Sequence, residues 1–133
     1  MGQAIEALII DSWAWIEYFK GSAFGKKAKE YIESGKEILV SAINVSEIYR
    51  FLLRWCKSDT EVEKYINFVL KTAFVIPVDV NIAIKAAKLK HEKKFGLADA
   101  IVLVTAREHN GVVVSGDDDF EKEGDVIFIG GLK

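Results

Sequence analysis

Short, continuous apolar runs alternate along the chain with segments of helical periodicity. A strand with one face in water alternates apolar and polar residues, whereas a strand buried on both faces is apolar throughout. The runs therefore predict an α/β fold, a three-layer α/β/α sandwich whose central parallel sheet has about five strands. The predicted strands are Ile5 to Ile10, Ile38 to Val40, Phe74 to Ile76, Val112 to Val114 and Val126 to Phe128.

Six helical segments fill the intervals between these runs. Their ends fall at glycines, which stop helices, or at Asp and Ser residues, which begin them. The predicted helices cover residues 11–20, 23–34, 41–55, 60–70, 79–94 and 97–109. The chain has no internal repeat and no linker-like stretch, and its 133 residues are half apolar, enough for one core. We therefore expect one domain over residues 1–133.

The composition argues against several classes of protein. The sequence has no run of roughly 18 apolar residues, so we expect no membrane span, and its N-terminus lacks the pattern of a signal peptide. Cys56 is the only cysteine, which excludes an internal disulfide and a cysteine zinc site. The formal net charge of −2 does not suggest a general nucleic-acid binder. We expect a cytoplasmic protein.

Four acidic residues lie at positions that are unusual for a solvated surface. Asp11 directly follows the first apolar run, and Asp117 lies just beyond the fourth. Ligands of open parallel sheets bind beyond the carboxyl ends of the strands, so these two acids approach each other if the first and fourth strands are neighbours. Asp99 lies in the first turn of a nearly apolar helix, and Glu47 is the one acid in the helix after the second strand.

Each of these positions also has an ordinary explanation. Asp11 and Asp99 are suited to helix N-termini, Asp117 to a wet loop and Glu47 to a helix surface. The topology nevertheless brings all four toward one edge of the sheet, and clustered carboxylates need a counter-charge. Because the chain offers no set of His or Cys ligands, oxygen donors predict a hard divalent cation, Mg²⁺ or Mn²⁺. Such an ion suits phosphate chemistry.

Four stretches form a pattern that covers nearly the whole chain. They are Leu8 to Ser12, Ser46 to Ile48, Gly96 to Ile101 and Val114 to Phe120, and the last two are the most specific. With them the chain resembles the PIN domain family and, within it, the short VapC-type toxins of prokaryotic toxin–antitoxin pairs. Ser115 stands where threonine is common and Thr105 where alanine is frequent, and neither difference removes a metal ligand.

The resemblance implies a Mg²⁺- or Mn²⁺-dependent endoribonuclease, a hydrolase that cleaves RNA, often transfer RNA or ribosomal RNA. Such proteins are commonly homodimers and are silenced by a small antitoxin protein. The positions that match the family's catalytic and metal-binding acids are Asp11, Glu47, Asp99 and Asp117. The auxiliary positions that match are a further acid, Asp119, and two small hydroxyl residues, Ser12 and Ser115.

We hypothesise that Asp11, Asp99 and Asp117 hold the principal ion, directly or through water, and that Glu47 completes this set or helps to place a second ion. The hypothesis needs no histidine, so His91 and His109 are expected to be ordinary exposed residues.

The three consecutive acids after the fourth strand are predicted to have unequal roles. Asp117 is the ligand, and Asp119 points to the same side if the loop stays extended. Asp118 then faces solvent, and Phe120 anchors the loop to the core.

Several basic and aromatic residues are candidates for contacts with substrate or partner. The candidate phosphate contacts are the segment Lys85 to Lys94 and Lys20, Lys26, Lys27, Arg50 and Arg54. The lysine run is equally suited to a solubilising face. One of Trp13, Trp15 and Tyr18 could stack a base, although core or dimer packing is the plainer role. Phe51, Leu52 and Trp55 could form an antitoxin or dimer surface.

Two other functions compete with the nuclease. A Mg²⁺-dependent phosphoacceptor signalling domain also has acids at strand ends, but it needs a lone aspartate after the middle strand. Here that strand ends at Pro77. A PIN-like module that binds RNA or protein without cutting is the other alternative.

Overall fold

The computed structural model describes residues 7–131, which form five strands and six α-helices. The strands are β1 (Ala7–Ile10), β2 (Glu37–Ser41), β3 (Phe74–Ile76), β4 (Gly111–Ser115) and β5 (Val126–Phe128). The helices are α1 (Ser12–Lys20), α2 (Ala23–Ile32), α3 (Ala42–Trp55), α4 (Asp59–Thr72), α5 (Val80–Glu92) and α6 (Leu97–Glu108). The part of the first predicted strand before Ala7 lies outside the described residues. Within them, no helix is long and apolar enough to cross a membrane.

All the strands described are parallel, in the order β3-β2-β1-β4-β5. The order reverses direction between β1 and β4, where Ile10 lies beside Val114. Chain connections leave these two strands toward opposite sides, which opens a crevice beyond their carboxyl ends. The predicted neighbourhood of the first and fourth strands is therefore confirmed.

The two faces of the sheet carry separate apolar cores. One core contains Leu8 and Ile10 with residues of α1 to α4, including Trp15 and Leu52. The other contains Ala7 and Ile9 with residues of α5 and α6. Because successive strand residues point to opposite faces, this division makes three layers. The predicted α/β/α sandwich with five parallel strands is confirmed.

The edge strand β3 departs from the prediction that continuous apolar runs are buried on both faces. Phe74 is 68% exposed and Val75 is 41% exposed, because β3 lies at the edge of the sheet and pairs, among the described strands, with β2 alone.

Two helices end two residues earlier than predicted, and α6 ends one residue earlier, at Glu108. The helix predicted to reach residue 34 ends at Ile32, and the Ser34 hydroxyl donates to the Tyr31 carbonyl instead of continuing the turn (2.7 Å). Lys93 likewise follows the end of α5 rather than lying within it.

Candidate metal centre at the carboxyl edge of the sheet

Asp11 begins the site, at the point where β1 ends. Its backbone N–H donates to the Val114 carbonyl, which continues the ladder to β4, and its side chain is only 3% exposed. The position is the N-cap of α1, but the carboxylate makes no cap hydrogen bond. It accepts instead from Ser115 Oγ (2.8 Å) and Asn44 Nδ2 (3.1 Å). Asp11 is therefore the N-cap by position, as its ordinary explanation has it, but its carboxylate serves other partners.

The pKa of Asp11 is raised from 3.8 to about 6, and burial is the main cause. The negative charges of Glu47 and Asp117 contribute to this rise, and the hydrogen bond from Ser115 opposes it. A buried carboxylate with two acidic neighbours is stabilised by a proton or by a cation.

Asp99, Asp117 and Asp119 form the carboxylate trio at this edge. Each offers one oxygen, and the three oxygens lie within 4.8 Å of one another. Asp117 follows β4 and is oriented by its own N–H, which donates to Ser115 Oγ (3.0 Å). Its carboxylate Oδ1 in turn accepts from the Asp119 N–H (3.0 Å). Ser115 thus links Asp11 to the loop that carries Asp117 and Asp119, while Asp99 comes from α6.

The prediction for Asp119 assumed that the loop of three acids is extended, but the loop is turned. Residues Asp118–Phe120 form a single 3₁₀ turn, which brings Asp119 back beside Asp117. Phe120 is fully buried against Phe95 and holds the turn in place. Asp118 is exposed, as predicted.

The pKa of Asp99 is raised to about 8, which is the largest perturbation at the site, and burial is the main cause. A hydrogen bond with Asp119 and the charges of Asp11, Asp117 and Asp119 contribute to this rise. Without a cation, the site therefore favours the protonated form of Asp99. Closely spaced carboxylate oxygens that lack a counter-charge are the ligands that hard divalent cations prefer, so the residues fit Mg²⁺ or Mn²⁺.

Glu47 lies at the mouth of the site and is exposed. Its Oε1 accepts from Ser12 Oγ (2.9 Å) and from Asn44 Nδ2 (3.3 Å). Asn44 therefore connects Glu47 to Asp11. Glu47 is not a member of the trio, which consists of Asp99, Asp117 and Asp119.

Asn44 is a site residue that the sequence reasoning did not include among its candidates. It is fully buried in the first turn of α3, where it donates to two carboxylates. The signal was its spacing, because Asn44, Ile48 and Leu52 recur at every fourth residue on the buried face of the helix. A polar residue on such a face needs partners.

A cavity of about 250 Å³ joins these groups. Arg50 and Arg54, which we predicted as phosphate contacts, line it together with Glu47 and Trp13. Its remaining lining residues are Asp11, Ser12, Ile16, Phe51, Asp99 and Asp117. A larger cavity of about 560 Å³ lies between α1 and α4, but its lining is aromatic and basic and offers no carboxylate for this chemistry.

The structure corrects or supports the other candidates. Leu52 and Trp15 are fully buried, so neither offers a surface to a partner or a base. Trp55 remains 40% exposed. His91 and His109 are exposed, as predicted.

A family model describes this arrangement. The PIN domain model matches residues 8–125, which span every acid of the site. The chain belongs to the PIN domain family. The resemblance inferred from the four sequence stretches is therefore confirmed. No curated protein matches the chain by sequence.

Several solved structures have a fold similar to that of this PIN domain. A toxin–antitoxin complex from Klebsiella pneumoniae is 24% identical, with a TM-score of 0.78 over 94% of this chain and 99% of that one. The sarcin–ricin-loop-cleaving toxin VapC20 of Mycobacterium tuberculosis is 20% identical, with a TM-score of 0.73 over 90% and 97%. VapBC2 of Rickettsia felis, bound to a fragment of its promoter DNA, is 14% identical, with a TM-score of 0.71 over 92% and 96%.

Proposed function

We propose that this chain is a metal-dependent endoribonuclease that hydrolyses RNA phosphodiester bonds with Mg²⁺ or Mn²⁺. The carboxylate trio carries the proposal, because three oxygens within 4.8 Å of one another form a ready set of ligands for one cation. The raised pKa of Asp99, about 8, supports it, since besides burial it is the neighbouring acids that raise this pKa.

The residues have distinct roles in this proposal. Asp99, Asp117 and Asp119 would hold the ion, with Asp11 beside them and Glu47 at the mouth. A bound divalent cation lowers the pKa of water and stabilises charge on phosphoryl oxygens. Asp99 releases its proton when the cation binds, so binding is expected to weaken as pH falls. Ser115, Ser12 and Asn44 orient the carboxylates through the hydrogen bonds described above.

We further propose that the chain is the toxin of a VapBC-type toxin–antitoxin pair, cytoplasmic and a homodimer, with transfer RNA or ribosomal RNA as its substrate. The solved neighbours support this reading, because they include a toxin–antitoxin complex and a toxin that cleaves the sarcin–ricin loop. A single domain over residues 1–133 remains part of the same proposal.

The phosphoacceptor alternative fits the strand order poorly. Signalling domains of that kind follow the order 2-1-3-4-5, in which the third strand is central. In this chain β3 is an edge strand, and no acid follows it directly. A module that binds without cutting remains the second candidate, and the retained trio argues against it.

The decisive experiment incubates the purified protein with structured cellular RNA and Mg²⁺ or Mn²⁺. Cleavage should stop with EDTA and in the Asp99→Asn and Asp11→Asn variants. If no cellular RNA is cut under any metal condition, the nuclease proposal fails. Cleavage that survives both substitutions would trace to a contaminant.

The loop of three acids offers a graded test with an internal control. Asp117→Asn and Asp119→Asn should each lower the cleavage rate about a hundredfold or more, because each removes a charged ligand of the trio. Asp118→Asn removes the same charge from an exposed position and should leave the rate unchanged. A greater loss in Asp118→Asn than in its neighbours would contradict this arrangement.

A further inference from the structure

Two arginines line the acidic cavity without neutralising it. Arg50 and Arg54 lie one turn apart on α3 and share a face of that helix. Both line the cavity that contains Asp11, Asp99 and Asp117. Within residues 7–131, however, neither arginine lies within ion-pair distance of a carboxylate. Their guanidinium groups are therefore available to an anion, and phosphate is the anion that their planar geometry suits.

A second group of cations lies beside Asp119, where α5 is connected to α6. Lys90, Lys93 and Lys94 line a cavity of about 520 Å³ together with Asp119. Lys93 is already paired with Glu123 (3.1 Å), and the Lys90 ammonium donates only to the Phe95 carbonyl (3.3 Å). Lys94 forms no ion pair in the described part of the chain.

The two cavities meet at the carboxylate trio. Asp99 and Asp117 line the cavity of the arginines, Asp119 lines that of the lysines, and their oxygens lie within 4.8 Å of one another. A strand that passes through both cavities would therefore place one phosphodiester at the trio and its neighbouring phosphates beside the two cationic groups. Trp13 forms part of the wall, and an aromatic ring in such a groove suits an unpaired base.

We propose that a single strand of RNA crosses the site along a track from Arg50 and Arg54, over the trio, to Lys90 and Lys94. The proposal rests on the nuclease function and adds the path of the substrate strand and the residues that hold it. It does not depend on which end of the strand lies beside the arginines. The arginines hold phosphate on one side of the bond to be cut, and the lysines hold it on the other. This division explains how a chain of net charge −2 attracts a polyanion to an acidic site.

The test measures binding of a fluorescent, unstructured RNA oligonucleotide as a function of salt. All proteins carry Asp99→Asn and are measured in EDTA, so that cleavage does not interfere and one negative charge is removed from the groove. Two double variants, Arg50→Gln/Arg54→Gln and Lys90→Gln/Lys94→Gln, are compared with this parent. Each contact with a single strand contributes about −0.7 to the slope of log affinity against log salt, so losing each pair should make the slope less steep by about 1.4.

The matched control is Lys36→Gln/Lys71→Gln. Both lysines are exposed and precede strands, at the edge of the sheet opposite to the acids. This control also removes two charges, but its slope should equal that of the parent.

The results separate the track from the nuclease function. A less steep dependence of affinity on salt in both double variants, with an unchanged control, supports the track. An unchanged slope in either variant, an equal fall in the control, or a parent that does not bind RNA at low salt overturns it. Cleavage is assayed separately in the otherwise wild-type protein, and a failure there refutes the nuclease function without deciding the path of the strand.

Discussion

Replacing Asp99 by asparagine should stabilise the metal-free protein at about pH 8 and change its stability little at about pH 4. The folded protein raises the pKa of this carboxyl from 3.8 to about 8, through burial first and its acidic neighbours second. At about pH 4, close to the lower value, the folded group is protonated and the unfolded group is only partly ionised, so little stability is lost. Between the two values, the unfolded chain ionises while the folded one stays protonated, so the free energy of unfolding falls as pH rises. Asparagine does not titrate and avoids this loss.

The magnitude follows from the size of the pKa shift. A shift from 3.8 to about 8 corresponds to about 6 kcal/mol for a group that is wholly shielded from solvent. Asp99 is only partly buried, and water screens part of the repulsion, so we expect about 2–3 kcal/mol. For a domain of this size, that difference raises the melting temperature by about 10 °C.

The assay is thermal unfolding in EDTA, followed by circular dichroism at several pH values between about 4 and 9. Asp118→Asn is the matched control, because it removes one negative charge from an exposed neighbour. Adding Mg²⁺ should stabilise the wild type more than the variant, since the ion binds the folded state only. The reasoning is refuted if Asp99→Asn gains no stability over the wild type at about pH 8, or if the gain is the same at about pH 4.

Three further substitutions test the supports of the site. Asn44→Ala removes the amide donor to Asp11, so cleavage should fall about tenfold and its pH profile should move to higher pH; an unmoved profile would contradict this positioning role. Gly116→Ala places a Cβ against the indole of Trp13 and should cost about 1–3 kcal/mol in unfolding experiments; an unchanged melting temperature would show that the ring moves freely. Phe120→Ala opens a cavity under the 3₁₀ turn and should cost about 3–5 kcal/mol, measured by urea denaturation; a loss below about 1 kcal/mol would mean that the turn is held by other contacts.

Much of the fold followed from the sequence because its strands and helices differ in pattern. The runs Ala7–Ile10 and Val112–Val114 are apolar throughout, and both belong to inner strands of the sheet. Phe74–Ile76 has the same pattern but lies at an edge. A short apolar run predicts that a strand is present. It does not predict which strands lie beside it in the sheet, because strand pairing depends on contacts between distant parts of the chain.

The sequence predicted that acidic residues gather at the carboxyl edge of the sheet, but not the detailed arrangement of their side chains. Asp11, Asp99 and Asp117 converge, as their positions at strand and helix ends indicated. The place of Asp119 depended on whether its loop was extended or turned, and three consecutive acids do not distinguish these conformations. Asn44 lay outside the candidate set because its importance comes from burial against Asp11, which is a contact over 33 residues.

The hydrogen bond between Ser115 and Asp11 joins residues 104 positions apart. A ribosome that adds about 5–20 residues per second makes Asp11 roughly 5–20 seconds before it makes Ser115. During that interval the nascent chain has the first strand of the site but neither Asp117 nor Asp119, so the trio does not exist. The order of synthesis therefore gives every molecule a period without the complete site, and any chain that is truncated before β4 never acquires it.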